Sequence, residues 1–159
     1  MSSAAESIEK NLAVATDPRS GLQAAVETLA DAFAARTVTL HRADPETRFL
    51  HLVAQVGLPE KMTPVIGKIP YGKGMAGICI ERLEVVTVCN IQTDTTGAAK
   101  PGAKETGVAG AIVFPVFGKG GVCIGTLGVG KSSEYEYPES EKSALAECAA
   151  RIAKGLARL

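Results

Sequence analysis

Residues 108–131 read VAGAIVFPVFGKGGVCIGTLGVGK, the stretch of sequence that decides the fold. Two apolar runs of strand length flank the turn Gly118-Lys119-Gly120-Gly121. Glycine tolerates the positive φ angles that a tight hairpin turn requires, and three of these four residues are glycine. The stretch therefore predicts two adjacent antiparallel strands.

Three helices are predicted around this hairpin, two upstream and one downstream. The first covers residues 3–15 and ends at an Asp-Pro pair, and the second begins with Ser20 as its N-cap and continues to about Arg36. The third starts with Pro138 in its first helical position and continues to the end of the sequence. In each helix apolar residues recur at spacings of three or four, which is typical of amphipathic helices packed on a sheet.

Further strands are indicated upstream of the hairpin. Residues 37–43 alternate apolar and polar side chains, residues 49–56 form the returning strand after a polar turn, and residues 84–90 contain three valines. Residues 92–107 are irregular, and loops of about fifteen residues in compact domains tend to be functional. The order predicts an α+β fold with an antiparallel sheet of about six strands. We expect the terminal helices on one face and residues 57–107 over a ligand pocket on the other.

The composition excludes several classes of function. Lys and Arg together number 17, as do Asp and Glu, so the chain lacks the basic excess of a nucleic-acid groove or a polybasic membrane anchor. No apolar run approaches the roughly 20 residues of a membrane span. The N-terminus MSSAAESIEK lacks the basic and apolar regions of a secretory signal. We therefore expect a cytoplasmic protein that binds neither nucleic acid nor membrane.

Four cysteines are candidates for chemistry. In a cytoplasmic protein Cys79, Cys89, Cys123 and Cys148 are expected to be reduced, and no CxxC pair indicates a zinc or thioredoxin-like site. The first three lie among apolar residues and the fourth lies on the apolar stripe of the last helix, so core packing is expected for all four. The alternative is a redox or metal-sensing cluster of the first three thiols near the pocket.

Two histidines complete the set of potential metal ligands. His41 and His51 lie on the first two predicted strands, and neither has a carboxylate or cysteine at ligand spacing. Both are predicted to be exposed strand residues, and a metal or haem site is the less favoured alternative. The sequence identifies no catalytic residue, no metal site and no cofactor.

Four short motifs together resemble a known family. They are the run IPYGKGMAG at residues 69–77, the strand AIVFPV at 111–116, the strand IGTLGV at 124–129, and the helix that follows Tyr137. In this order and at these spacings, they resemble the GAF domain, the small-molecule-sensing module of many signalling proteins, over residues 20–158. The resemblance implies a GAF/PAS-like fold in which a six-stranded antiparallel sheet lies between a helical layer and a ligand pocket.

The resemblance also implies how such a protein acts. GAF domains frequently dimerise through their terminal helices, and both terminal helices here are rich in alanine, which permits close approach. We expect one domain over residues 1–159, with residues 1–19 as an N-terminal dimerisation helix and residues 20–159 as the GAF core. Since no effector domain is evident, we expect a homodimeric sensor of an unidentified small molecule that acts on a separate signalling protein, a kinase or a transcription factor.

One family of GAF proteins, the free methionine-(R)-sulfoxide reductases, is enzymatic and consists of stand-alone chains of this length. The resemblance would place its cysteines at Ala76 and near Lys104, and its substrate-binding carboxylates near Ala111, Gly128 and Gly130. None of these residues supplies the required group. Sulfoxide reduction needs a thiolate nucleophile and a resolving thiol, so a sensor is favoured. A thiol-dependent redox enzyme or redox sensor is the alternative, and a scaffold with a collapsed cavity that acts only by dimerisation is a third.

Small side chains on the predicted sheet suggest the character of the pocket. An uncharged, roomy wall suits a small neutral ligand, or an anion held by backbone N–H groups, because buried charges need partners. Asp94 and Thr95 are good N-cap residues, so residues 93–96 either start a short helix with its positive end toward the cavity or form a solvated loop. The candidate ligand-binding residues are Tyr71, Met75, Ala76, Cys79, Asp94, Thr95, Thr96, Ala111, Val113, Thr126 and Gly128.

Overall fold

The computed structural model describes residues 3–94, 96, 104 and 106–159. The α-helices in these residues are α1 (Ala4–Val14), α2 (Pro18–Ala32), α3 (Thr63–Ile66), α4 (Gly74–Arg82) and α5 (Glu139–Leu156). The strands are β1 (Thr37–Asp44), β2 (Phe49–Val56), β3 (Lys68–Pro70), β4 (Val86–Val88), β5 (Ala111–Phe117) and β6 (Cys123–Gly130). Short 3₁₀ turns occupy Glu60–Met62 and Lys119–Gly121. None of the described helices is both long and apolar enough to cross a membrane.

The strands form an antiparallel sheet in the order β3-β2-β1-β6-β5-β4. The central strand β1 pairs with β2 on one side and with the last strand β6 on the other. The hairpin predicted from residues 108–131 is present, with Ala111 opposite Gly130 at one end and Phe117 opposite Cys123 at the other. The predicted α+β fold with six antiparallel strands is therefore confirmed.

Helices α1, α2 and α5 cover one face of this sheet. Their apolar stripes and the strand residues that face them form the main core, in which Leu29, Leu127 and Ile152 are fully buried. Burying a side chain of this size stabilises the fold by about 1.5–3 kcal/mol relative to leaving it in water. The helices leave the opposite faces of β1, β5 and β6 available for a second set of contacts.

Helix α1, which belongs to the predicted dimerisation segment, packs within its own chain. Ala5 and Ile8 are buried in the core that α1 shares with α2 and α5. On the partly exposed side of α1, Glu9 accepts hydrogen bonds from Arg151 (2.5 Å) and Lys154 (3.1 Å) of α5. These contacts join the two terminal helices to each other.

The start of α2 differs from the prediction. Asp17 is the N-cap in place of Ser20: Oδ1 of Asp17 accepts the backbone N–H of Ser20 at 2.9 Å, and Pro18 opens the helix. Proline fits the first helical position because the N–H it lacks has no partner in the helix. The same Asp-Pro pair therefore ends one helix and starts the next. The helix ends at Ala32, before the predicted Arg36, and Ala34 follows with a left-handed φ of 51°.

Three other boundaries also differ. Strand β3 pairs with β2 at the edge of the sheet and was not predicted. Its three residues are too few to show an alternating pattern. Helix α5 begins at Glu139, with Pro138 as its N-cap residue. Strand β4 is shorter than predicted, and Val85 before it is 44% exposed.

Candidate functional site

A cavity of about 130 Å³ lies between the sheet and the segments that cover its second face. Its sheet side is formed by alternate residues of three strands, namely Thr37, Thr39, Ala111, Val113, Gly128 and Gly130. Its cover is formed mainly by apolar residues, namely Ile66, Ile69, Met75, Ala76, Ile91 and Val108. None of the described residues on the wall is Asp, Glu, Lys or Arg, so this part of the wall is uncharged apart from any charge that His41 carries.

Two glycines of β6 keep the sheet side of the cavity flat. Gly128 pairs with Thr39 across the β1–β6 ladder, and Gly130 pairs with Thr37. A Cβ placed on Gly128 would lie 2.7 Å from Oγ1 of Thr39, and a Cβ on Gly130 would lie 2.5 Å from Oγ1 of Thr37. The threonine side chains therefore occupy the space above the glycines, and any larger residue at these two positions would collide with them.

Helix α4 begins at the cavity and covers part of it. Gly77 lets the helix approach the preceding turn closely, because a Cβ at this position would lie 2.5 Å from the carbonyl oxygen of Pro70. The backbone N–H of Gly72 donates to the carbonyl of Gly77 at 2.8 Å, which fastens that turn to the helix. Met75 and Ala76, in the first helical turn, lie on the cavity wall. The first N–H groups of a helix have no partner within it, so this end of α4 offers donors to a ligand.

His41 is buried, which corrects the prediction that it is an exposed strand residue. Its side chain lies on the cavity wall beside Ile66, and Nε2 lies 2.7 Å from the carbonyl oxygen of Ile66. Burial lowers the pKa of His41 from 6.5 to about 4, so the imidazole is neutral at physiological pH. His51 is exposed, as predicted, and lies 4.0 Å from Asp44.

Thr126 lies directly opposite His41 in the β1–β6 ladder, and paired residues project from the same face of a sheet. Its side chain is fully buried. Within the described part of the chain, neither Oγ1 of Thr126 nor Nδ1 of His41 has a hydrogen-bond partner. His41 lies on the cavity wall, whereas the predicted ligand-binding residue Thr126 does not.

The cysteines differ in their surroundings. Cys79 packs beside the cavity wall, with Sγ 3.8 Å from the carbonyl oxygen of Val113, and burial raises the pKa of its thiol to about 12. Burial also raises the pKa of Cys148 to about 11 and raises that of the half-buried Cys123. Cys89 is exposed, which corrects the prediction of core packing, because it follows β4 at the edge of the sheet. The raised pKa values keep the buried thiols protonated and poorly nucleophilic at neutral pH.

The structure brings together some of the candidate ligand-binding residues. Those on the cavity wall are Met75, Ala76, Ala111, Val113 and Gly128. Tyr71 packs outside the wall beneath the guanidinium of Arg48, 4.9 Å from the ring centre. Asp94 and Thr96 lie in a shallow depression beside β4 and bond to each other, with Oδ1 of Asp94 accepting the N–H of Thr96 at 3.3 Å. Thr95 lies outside the described residues, as does part of the predicted 93–96 helix or loop.

Sequence reasoning missed the contribution of β1 to this wall. Thr37, Thr39 and His41 alternate with Val38 and Leu40, which places the three polar side chains on one face of the strand. Combined with the glycines at alternate positions of β6, this alternation is a signal in the sequence that could have found them. Among the described residues, no group of three His, Cys, Asp or Glu side chains is placed to hold a metal ion.

Comparison with solved structures shows the same fold in bacterial proteins. The GAF domain of a phosphoenolpyruvate-protein phosphotransferase from Coxiella burnetii superimposes with a TM-score of 0.82 at 21% identity, covering 97% of this chain and 90% of that one. The GAF domain of the phosphoenolpyruvate-protein phosphotransferase from Acinetobacter superimposes with a TM-score of 0.80 at 18% identity, covering 99% of this chain and 95% of that one. A free methionine-R-sulfoxide reductase from Neisseria meningitidis, in complex with its substrate, superimposes with a TM-score of 0.79 at 23% identity, covering 98% of this chain and 87% of that one.

These likenesses support the fold alone, because their sequence identities are low and the proteins differ in what they do. No curated protein sequence matches the chain. The family model described as "GAF domain" matches residues 15–157, nearly the whole sequence. The chain belongs to the GAF domain family.

Proposed function

We propose that this protein is a regulatory domain that binds a small uncharged molecule in the cavity between the sheet and α4. The observation that carries the proposal is the cavity of about 130 Å³, whose described wall is predominantly apolar and without carboxylate, ammonium or guanidinium groups. A buried charge without a partner is costly, so such a wall favours neutral ligands over ions. Small-molecule binding is also what the GAF fold supports in general.

The sensor is better supported than the thiol-dependent redox alternative. Cys79, the cysteine that packs beside the cavity wall, has a pKa raised to about 12 and is therefore a poor nucleophile at neutral pH. Ala111, Gly128 and Gly130, the positions where the sulfoxide reductases are expected to carry carboxylates, line the cavity without any charge. The described residues of the wall thus offer neither the nucleophile nor the counter-charges that a zwitterionic sulfoxide would need.

Contacts at the rim of the cavity provide a route from the ligand to the helical layer. Nε of Arg36, just beyond α2, donates to the carbonyl of Thr106 on the wall at 3.3 Å. Lys131, next to Gly130, donates to the carbonyl of Phe33 at the end of α2. Lys131 also lies 3.5 Å from Glu141 in the first turn of α5. A ligand that shifts the rim would therefore bias the arrangement of α2 and α5.

We propose that these helices form a homodimer and pass the change to a separate signalling protein, a kinase or a transcription factor in the cytoplasm. Helix α5 presents exposed alanines, including Ala146 and Ala150, that permit close helix approach. A population shift of this kind needs a ligand that binds one arrangement better than the other. The N-terminal residues 1–19 would contribute α1 to the same layer.

The experiment is a thermal-shift screen with small neutral rings, nucleotides, amino acids, nitrate and haem. A ligand at 100-fold its dissociation constant adds about 2.7 kcal/mol to the free energy of unfolding. Ala111→Leu, which fills the cavity from the sheet side, should abolish the stabilisation, whereas Ser132→Leu, at an exposed position outside the helices, should leave it unchanged. Stabilisation that survives Ala111→Leu would place the ligand elsewhere and contradict the proposal.

A further inference from the structure

Two threonines of β1 on the cavity wall carry hydroxyl groups that have no hydrogen-bond partner. Neither Thr37 nor Thr39 makes a side-chain hydrogen bond within the described part of the chain. The side-chain polar atoms of this part that are both unpaired and sealed from solvent belong to His41, Thr126 and Glu141. The oxygens of Thr37 and Thr39 are not among these sealed atoms, so a molecule in the cavity can reach them.

The glycines opposite show where these two hydroxyl groups lie. A Cβ on Gly128 would come within 2.7 Å of Oγ1 of Thr39, and a Cβ on Gly130 would come within 2.5 Å of Oγ1 of Thr37. Both glycines line the cavity, so each threonine oxygen lies beside a glycine that faces the ligand space. Because glycine has no side chain, nothing at these two positions of β6 covers the oxygens.

The spacing of the two hydroxyl groups limits what can bind to both. Thr37 and Thr39 are two residues apart on one face of β1, so at a strand rise of about 3.3 Å per residue their side chains are about 6.6 Å apart. They are too far apart to bond to each other, and too far apart for one ligand atom to bond to both at about 2.8 Å. A ligand that satisfies both hydroxyls must therefore present two polar atoms.

An amide group meets this requirement. Its N–H donates and its carbonyl oxygen accepts, while a threonine hydroxyl can do either. Given C–N and C=O bonds of about 1.33 and 1.23 Å, the amide nitrogen and oxygen lie roughly 2.3 Å apart. With a hydrogen bond of about 2.8 Å at each end, the group spans the distance between the two hydroxyls.

The geometry of the amide and its charge restrict the class further. In a lactam or a primary amide, N–H and C=O point to the same side, whereas in a trans peptide they point to opposite sides. A carboxylate also offers two oxygens, but its charge would find no cationic partner on the described wall. The two threonines therefore favour a neutral amide over an acid and over an extended peptide.

The size of the cavity limits the remainder of the ligand. An apolar cavity of about 150 Å³ in another protein binds benzene, and the present cavity of about 130 Å³ is close to that size. Ile69, Met75 and Val113 supply apolar wall for a carbon skeleton. The volume accommodates one small ring.

We propose that the cavity binds a small neutral amide, a lactam ring or a primary carboxamide, held by the hydroxyl groups of Thr37 and Thr39. One threonine accepts the amide N–H, and the other donates to the carbonyl oxygen. This inference rests on the proposed function, since it names the class of ligand for the same cavity.

The test compares 2-piperidone, a six-membered lactam, with cyclohexanone, which has the same ring and carbonyl but no N–H. Both are titrated by NMR into the unmodified protein, Thr37→Val and Thr39→Val. Valine has nearly the shape of threonine and suits a strand. The dissociation constant for 2-piperidone should rise about fivefold to tenfold in each variant, because each removes one hydrogen bond. That for cyclohexanone should rise in only one of them, the variant that lacks the donor to the carbonyl.

The matched controls are Thr37→Ser and Thr39→Ser, which keep the hydroxyl group and should keep most of the affinity for 2-piperidone. Unchanged binding of 2-piperidone in either valine variant, or equal losses for both rings in both variants, would overturn the amide assignment and leave the sensor proposal standing. Absence of 2-piperidone binding at millimolar concentration would overturn it too. The sensor proposal would then fail as well only if no compound in the thermal-shift screen gives a stabilisation that Ala111→Leu abolishes.

Discussion

A buried, neutral imidazole makes the stability of this protein depend on pH. The pKa of His41 is about 4 in the folded protein and about 6.5 in the unfolded chain. As pH falls from 6.5 to 4, the unfolded chain takes up a proton that the folded protein does not, so this part of the stability is lost. The free energy of unfolding should decrease by about 3 kcal/mol across this range on account of His41 alone.

The measurement is urea unfolding at a series of pH values between 4 and 7. His41→Phe removes the titrating group and should flatten the pH dependence, while His51→Gln, at an exposed position, should retain it. The quantity compared is the slope of the free energy of unfolding against pH, because differences in packing shift the absolute stability of each variant. An unchanged slope in His41→Phe would show that His41 is not the group responsible.

The four thiols should differ widely in their rates of alkylation. Cys79 and Cys148 are buried with pKa values raised to about 12 and 11, while Cys89 is exposed. Because the thiolate is the nucleophile, native protein treated with iodoacetamide at neutral pH should be modified first at Cys89. Mass spectrometry of the peptides measures this order, and unfolding in urea should remove it. Fast modification of Cys79 in the native protein would revive the thiol-redox alternative.

Among the secondary-structure elements, α4 is positioned over the cavity by the close approach of Gly77 to the carbonyl oxygen of Pro70. Within a helix, alanine is ordinarily more stable than glycine by about 1 kcal/mol. At Gly77 the added methyl group would meet the carbonyl oxygen of Pro70 at 2.5 Å, and backbone atoms cannot move aside cheaply. Gly77→Ala should therefore destabilise the protein, by about 1–2 kcal/mol, and should weaken ligand binding by displacing α4.

The control for this prediction is Ala150→Gly, at an exposed position of α5. In protein diluted to single chains, Ala150→Gly should cost about 1 kcal/mol through helix propensity. This cost measures what Gly77→Ala would gain in the absence of the contact with Pro70. Chemical denaturation measures both variants. A stabilised Gly77→Ala protein would show that α4 is not held against the turn that contains Pro70.

At the scale of the whole molecule, the proposed dimer makes a direct prediction of mass. Analytical ultracentrifugation should give twice the 16.4 kDa of the chain at micromolar concentration. Ala150→Glu places a charge on the exposed face of α5 and should shift the equilibrium toward single chains, whereas Ser132→Glu, at an exposed position before α5, should not. A mass of 16.4 kDa at every concentration would remove the dimer from the proposed function.

The fold was largely predictable from the sequence because its signals are local. The glycine turn at residues 118–121 and the helical stripes depend on neighbours a few positions apart. The burial of His41 depends on the carbonyl of Ile66, which is 25 positions away and in a separate element. The alternation in β1 indicates the face of the sheet on which His41 lies, but the burial and orientation of its imidazole follow from tertiary packing.

Thr39 and Gly128 are paired on neighbouring strands, so the space available to one side chain depends on the size of the other. A homologue with alanine or serine at position 128 should carry glycine, alanine or serine at position 39, and the two sites should covary. Each such pair of substitutions moves side-chain volume from β1 to β6 and leaves the volume of the pocket nearly constant. Ligand preference could in this way diverge between lineages through paired substitutions, without any loss of the sheet that carries them.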